Sequence, residues 1–463
     1  MSYFDGVQSE SKSFSDVEQL NKALEAGYGS DAAVFVNGRA MIPEDLEATT
    51  MNVLAKMKED CKITNSLKTR PAKSTVHEYN RRTEEGDYKF LSVAEGGESP
   101  ETNQELERKT LNIKYLQTRR SVTKQMESVQ TFENALASEK MTGVSTIIKG
   151  IEHQIFHGDS SIIPTEFDGL LAQIRAEEKA YKRDLRGATI GSVGESIFDD
   201  VAEQVLERGA YIDKAMFPVV LAKDIKGLFT DRLRMLMGDE RSSFKGLPAY
   251  DTATGSTIKI SGEDAGPDKF FRVKGKVVAQ GSVTKRPNPP TSVTGTPSPM
   301  ANSQFAATDE GDYMYTVHAV NASGISQGTS VSAAVAVTAG SGVTLTITPA
   351  STGEVATGFI ICRSKKDGTE VMEMAQVKAA TSGTTTYVDL NADLPGTASM
   401  IFLPETRLMP ALELVQLLPV STIPLYPTNK AETPFLIAYY GALENKAPEW
   451  CAEVKNIAYS GGF

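Results

Sequence analysis

At Lys285-Arg286-Pro287-Asn288-Pro289-Pro290 the chain changes character. The stretch that follows is rich in Thr, Ser, Val, Ala and Gly and poor in charge, until Asp393-Leu394-Pro395-Gly396 returns it to mixed content. Proline clusters and Pro-Gly linkers punctuate a chain because neither a helix nor a central strand runs through them. Between the two boundaries, residues 313–320, 330–337, 343–347 and 358–363 read as strands separated by turns, the pattern of a β-sandwich. Mixed helix and strand patterns lie on both sides of it. The sandwich is therefore expected as an insertion into a host domain rather than a tail, and at 463 residues two or three domains are the natural count.

The host begins with short helical patterns and polar stretches, including Val17, Leu20 and Leu24 at helical spacing and then Gly27-Tyr28-Gly29-Ser30-Asp31, which read as a mobile arm. A second amphipathic stretch (Leu46, Met51, Val53, Leu54, Met57) precedes basic residues at Lys62, Lys68, Arg70 and Lys73. Alternation then takes over. Leu111, Ile113 and Tyr115 point one way and Thr110, Asn112 and Lys114 the other, and Ser74-Thr75-Val76-His77-Glu78-Tyr79 can pair with that strand. The resulting two-stranded ribbon has almost no hydrophobic face. Such a ribbon is marginal alone in water and must lie on something else.

A helix is expected over 127–157, where Val144, Ile147, Ile148, Ile151 and Ile155 form one stripe and Gly158 stands where the helix should end. Glu166-Phe167-Asp168-Gly169-Leu170-Leu171 reads as a turn entering an apolar run. An α/β module follows: a helix with Ile197, Val201, Val205 and Leu206, a strand at Phe217-Pro218-Val219-Val220-Leu221, a helix with Ile225, Leu228, Phe229 and Leu233, and a strand at Ile258-Lys259-Ile260. After the insertion come Leu412, Leu414, Leu417 and Leu418 and the apolar run 433–441.

Few functional classes find support. No apolar run approaches the roughly 18 residues of a membrane span, and the amino terminus lacks a signal-peptide pattern, so synthesis in the cytosol is expected. A net charge of −11 argues against an electrostatic grip on nucleic acid. The cysteines, Cys61, Cys362 and Cys451, suggest neither a disulfide framework nor a zinc cluster. His153 and His157 stand one helical turn apart, but Glu does not follow the first and no third ligand is near, so a metal role is not expected. Glu84-Glu85 and Asp199-Asp200 are adjacent acids of the solvated kind. Gly191-Ser192-Val193-Gly194 lacks the spacing and the lysine of a phosphate cradle. No cofactor and no enzymatic activity are expected.

Several stretches carry a resemblance: Arg70-Pro71-Ala72-Lys73-Ser74-Thr75-Val76, Lys114-Tyr115, Phe156-His157-Gly158-Asp159, Glu166-Phe167-Asp168-Gly169-Leu170, Tyr440-Gly441-Ala442-Leu443, Lys446-Ala447-Pro448-Glu449-Trp450 and Lys455-Asn456-Ile457. In their order and spacing the chain resembles the major capsid proteins of tailed bacteriophages with the Hong Kong 97 fold. It is most similar to those of large contractile-tailed phages of Gram-positive bacteria. The resemblance implies an α+β fold with an amino-terminal arm (1–71), an extended loop or E-loop (72–124) and a peripheral P-domain with a spine helix (125–190). An axial A-domain with P-domain strands (191–284), the insertion (285–396) and a return to the A- and P-domains (397–463) would complete it. Within the insertion, 315–324 resembles the late strand and turn of fibronectin III or immunoglobulin-like domains, which decorate the outer surface of many phage heads.

The implied function is self-assembly into hexamers and pentamers of an icosahedral head enclosing double-stranded DNA, within the virion. The implied partners are copies of the chain, a portal, a scaffold and a maturation protease, with weak non-specific DNA contact and no membrane. Arg81, Arg82, Glu84, Glu85 and Lys89 are candidate inter-subunit contacts of the E-loop, and each reads equally well as a solubilising surface charge. Covalent crosslinking through Lys89 is not carried over, since neither a partner nor a catalytic carboxylate can be identified, while residues 27–31 would be an accessible place for proteolytic trimming. An encapsulin-like compartment shell, a carbohydrate-binding surface protein acting through the sandwich and a cytosolic enzyme with an unrecognised site remain as alternatives.

Overall fold

The computed structural model describes residues 61–84, 86, 89, 91–128, 135–229, 249–262, 264–405, 411–427 and 430–460, and its class is α+β. Residues 1–60 of the expected arm, its trimming stretch included, lie outside these residues. The chain divides into two compact units. The described residues of the smaller are 120–128, 135–142, 424–427 and 430–435; the larger holds the rest.

The described chain opens with α1 (Lys62–Ser66) and β1 (Lys68–Pro71), then forms the ribbon from β2 (Val76–Glu84) and β3 (Glu105–Asn112). These two pair antiparallel, His77 opposite Leu111, Tyr79 opposite Lys109 and Arg81 opposite Glu107. Among the described residues they pair with no further strand. The expected strand through Tyr115 is interrupted at Ile113. This residue is buried and donates its N–H to the Thr75 carbonyl, 2.9 Å away. Beyond it, β4 (Lys114–Thr123) joins another sheet, and Tyr115 falls on the exposed side. Ile113 is thus the pivot where ribbon becomes body.

Helical residues follow in α2 (Lys124–Ser128) and α3 (Ala135–His157). The stripe Ile147, Ile151 and Ile155 is buried as the 3.6-residue period requires. Gly158 ends the helix without a left-handed backbone. It is needed because a Cβ there would lie 2.3 Å from the Phe167 carbonyl oxygen and 2.7 Å from that of Gln154. This close approach joins α3 to α4 (Leu170–Ala176).

The α/β module comprises β5 (Tyr181–Asp184), α5 (Ile190–Val193), α6 (Ser196–Glu207), β6 (Ile212–Pro218), α7 (Ala222–Leu228), β7 (Ala249–Asp251), β8 (Thr257–Lys259) and β9 (Gly266–Asp268). The strand expected at 217–221 runs instead over 212–218 and turns into a short 3-10 helix at Val219–Leu221. Pro218 has no N–H for the ladder, so the strand stops there.

Strand β10 (Gln280–Gly281) precedes the expected insertion, and residues 285–396 hold β11 (Ser292–Pro299), β12 (Gly311–Tyr313), β13 (Tyr315–Asn321), β14 (Gly324–Ser330), β15 (Val335–Val337), β16 (Ser341–Thr348), β17 (Gly358–Ser364), β18 (Val371–Lys378) and β19 (Thr385–Asp389). One sheet has the order β10-β14-β13-β17-β18, another β11-β16-β19, and β12 pairs β15. Tyr315, Val317, Leu345, Ile347, Phe359 and Ile361 fill the core they share. Strands β10, β11, β14, β18 and β19 escape the sequence pattern, 313–320 splits into two strands at Met314, and of the expected 330–337 the strand runs only over 335–337. The other face of the larger sheet, at Val320, Ile360 and Cys362, packs on Ile162 and Ile163 from the loop after α3.

Last come β20 (Ala398–Pro404), β21 (Leu412–Pro424), β22 (Glu432–Asn445) and β23 (Ala452–Ile457). Strand β20 lies between β6 and β23 in the order β5-β23-β20-β6-β8-β7, with β9 also paired to β6. Chain preceding the insertion and chain following it therefore share one sheet, covered by Ile197, Phe198, Val201 and Val205 of α6. A second host sheet has the order β1-β21-β22-β4.

Candidate functional site

Parity along the ribbon sorts its side chains. In β2 the odd-numbered residues His77, Tyr79, Arg81 and Thr83 are half-buried and the even-numbered ones exposed; β3 follows the same rule through Glu107, Lys109 and Leu111. The inner face rests on the body of its own chain. Tyr79 Oη donates to the Asn445 carbonyl at 3.2 Å, and the Arg81 guanidinium reaches Glu177 at 3.0 Å and Glu107 at 2.9 Å. Burial and then the charge of Glu444 raise the Tyr79 phenol.

The five candidate contacts separate accordingly. Arg81 faces inward and is held by Glu177 and Glu107. Arg82 and Glu84 lie on the outer face, where Arg82 stands opposite Leu106 and Glu84 opposite Glu105. Lys89 is exposed, and Glu85 lies outside the described residues. Sequence reasoning missed the apolar members of this surface. Leu91, Val93 and Leu106 are all exposed, Leu106 to 56%. Isolated apolar residues in a polar loop give no periodic signal, so only the placement of the loop identifies them.

Residues singled out for chemistry are otherwise engaged. His157 Nε2 accepts the Arg272 backbone N–H at 3.0 Å, which uses the lone pair a metal would need. Burial and the nearby Arg272 charge push the His153 imidazole down to about 4 and that of His157 well below its ordinary range. Among the described residues no group of three His, Cys, Asp or Glu side chains could hold a metal ion. All three cysteines are buried and none is in a disulfide, and burial pushes the Cys362 and Cys451 thiols up to about 12.

A cavity of about 250 Å³ lies where insertion meets host, lined by His157, Arg175, Arg272, Lys274, Glu373 and Asp393 among others. Arg272 meets Glu373 at 3.0 Å and Lys274 meets Asp393 at 3.2 Å across the junction, while Arg175 meets Glu453 at 2.5 Å within the host. This arrangement clamps the two connecting segments.

No known family model matches the chain. Curated relatives do. The chain is 25% identical to the putative major capsid protein of Enterococcus phage phiEF24C, over 96% of this chain and 95% of that one. It is also 25% identical to the major capsid protein of Staphylococcus phage K, over 97% and 98%. Its relatives are phage major capsid proteins. Solved structures also align along its length. The holo-SrpI encapsulin complex of Synechococcus elongatus PCC 7942 does so at TM-score 0.42 and 9% identity, over 91% of this chain and 95% of that one. The phage G major capsid and decoration protein structure gives 0.41 and 8%, over 90% and 96%.

The landmark residues of the capsid-protein resemblance are joints of the fold. Lys114 Nζ donates to the Pro164 carbonyl at 2.6 Å, and Tyr115 stacks edge-on against Tyr440 with ring centroids 4.8 Å apart. Trp450 Nε1 donates to the Arg208 carbonyl at 3.1 Å. Asn456, with φ of 56°, donates from its side chain to Asp184 and to the Ala392 carbonyl beside the insertion's second linker.

Proposed function

We propose that the chain is the major capsid protein of a tailed phage, with a Hong Kong 97-type fold, and that it works by assembling with copies of itself into the hexamers and pentamers of an icosahedral head around double-stranded DNA. The observation that carries this is similarity to phage major capsid proteins over 96–97% of the chain, insertion included.

The ribbon of residues 76–112 supports it. A two-stranded element with a polar tip and exposed apolar side chains at Leu91, Val93 and Leu106 has more surface to bury than its own subunit covers. Its outer side chains, Arg82, Glu84 and Lys89, would meet a neighbouring copy, and affinity would be spread over many such contacts rather than concentrated in one site. On this reading, 1–71 is the arm, 72–124 the extended loop, 125–190 the P-domain and 191–284 with 397–463 the A-domain and remaining P-domain. The insertion over 285–396 is an outward-facing immunoglobulin-like decoration. A portal, a scaffold and a maturation protease would be the partners in the host cytoplasm. Intact mass of the subunit from mature particles reads arm trimming directly.

Deleting residues 83–104 tests the assignment. The subunit is expected to stay folded, because among the described residues of the deleted segment none is a buried core side chain, and to form no normal shells by negative-stain electron microscopy. Normal shells from the deletion variant would defeat the role given to the loop.

A further inference from the structure

A second cavity, of about 420 Å³, opens where insertion meets host, within the roughly 300–1,000 Å³ of small-molecule pockets. In the first cavity each lining Arg or Lys meets a carboxylate. The second is one-sided: Arg363, Lys365 and Lys366 line it against the single carboxylate of Asp309. Buried Asp389 answers the Arg363 charge at 2.6 Å, and Asp309 Oδ2 already accepts the Ala306 N–H at 3.2 Å and the Asn391 amide at 3.3 Å. Asp367, next in sequence after the lysines, is not part of the lining and accepts the Asp312 N–H. The two exposed lysines thus leave the lining positive in a chain whose net charge is −11.

One of the lining side chains also carries a donor without an acceptor. Arg363 is 2% exposed, and its Nη1 and Nη2 donate to Asp389 and Asn391, but its Nε–H has no partner. A buried donor left unpaired is costly, and an acceptor brought by a bound molecule removes that cost. Lys366 Nζ uses one of its three N–H groups on the Thr308 carbonyl at 3.0 Å. Leu394, Pro395 and Tyr459 add carbon surface to the lining. Guanidinium and ammonium groups beside an apolar wall suit an oxyanion attached to an apolar body, since charge-assisted hydrogen bonds to carboxylate or phosphate are the strong ones.

We propose that this cavity binds a small organic anion, its carboxylate or phosphate group against Arg363, Lys365 and Lys366 and its apolar body against Leu394, Pro395 and Tyr459. Bound there, the molecule touches insertion and host together. The site belongs to the single chain and does not depend on the capsid reading.

Isothermal titration calorimetry of the full-length, unassembled subunit at low salt tests this with phenyl phosphate, with benzoate and, as the neutral control, with benzyl alcohol. An aromatic anion is expected to bind at one site per chain, the tighter of the two naming the head group, and benzyl alcohol is expected not to bind. K365E combined with K366E leaves the buried Arg363 in place and should weaken anion binding tenfold or more. K285E combined with K378E makes the same charge change at exposed positions outside the lining and should leave binding within twofold. No saturable binding of either anion, benzyl alcohol binding as tightly as the anions, or an equal loss in the two double variants overturns the site.

Discussion

The insertion is built around a buried charge, and removing its partner should unfold it selectively. Arg363 Nη1 meets Asp389 Oδ2 at 2.6 Å with both side chains almost wholly excluded from water, and Tyr315 Oη donates to the same oxygen at 2.8 Å. The guanidinium also donates to Asn391 at 2.7 Å and lies 5.3 and 5.2 Å from the ring centroids of Phe305 and Tyr313. Asp389→Asn leaves the volume unchanged but strands the Arg363 charge in the core. Breaking one side of such a pair costs about 3–5 kcal/mol. At roughly 1.4 kcal/mol per tenfold, the most protected amides of β13, β17 and β19 should exchange about two to three and a half orders of magnitude faster, while those of α6 and β6 stay unchanged. Adding Arg363→Met to Asp389→Asn should recover most of the loss, because the stranded charge goes. Acceleration below tenfold, or equal acceleration in α6, would refute the idea that this pair carries the insertion's stability.

Three further outcomes follow from the geometry. Glu152 accepts the Ile63 and Thr64 N–H groups at 2.9 and 2.8 Å, and burial and the facing Asp268 push its carboxyl up to about 8. A folded pKa raised above the ordinary 4.5 means that the folded state holds the proton more tightly. Stability is then full below about pH 4.5 and lost as pH rises to 8, and urea denaturation should show that slope in the native chain and a flatter one in Glu152→Gln. Gly158→Ala drives a Cβ against two carbonyl oxygens and should cost about 1–3 kcal/mol by overpacking, seen as a lower thermal midpoint. Ile162→Ala empties the seat under Gly358, where a Cβ would already lie 2.5 Å from Ile162 Cγ2. That change should cost about 2 kcal/mol or more and speed proteolysis at 391–396; an unchanged cleavage rate would mean that the insertion does not depend on this contact.

Much of the architecture was legible because local periodicity reports on burial. The stripe through Ile147, Ile151 and Ile155 declares a helix, the alternation around His77, Tyr79 and Leu111 a ribbon, and the charge-poor stretch after Pro290 a second core. Strand β11 was not legible, since its Gly295, Pro297 and Pro299 break up its Val and Thr residues, and the β16 ladder holds it. The break at Ile113 was equally silent, because an unbroken alternation in sequence does not say where one sheet hands the chain to another. At the candidate surface, the charged residues could be named from the sequence. The inward turn of Arg81 and the exposed Leu91, Val93 and Leu106 could not.

By itself, then, the sequence determined most of the kinds of element, their order and a charge-poor, strand-rich stretch after Pro290, since those depend on near neighbours along the chain. The tertiary structure alone decided the partners: Glu152 with Asp268, Arg272 with Glu373 and Ile162 with Gly358. Each pair joins segments far apart in sequence, and a buried charge or a close approach between such segments leaves no periodic trace in either of them.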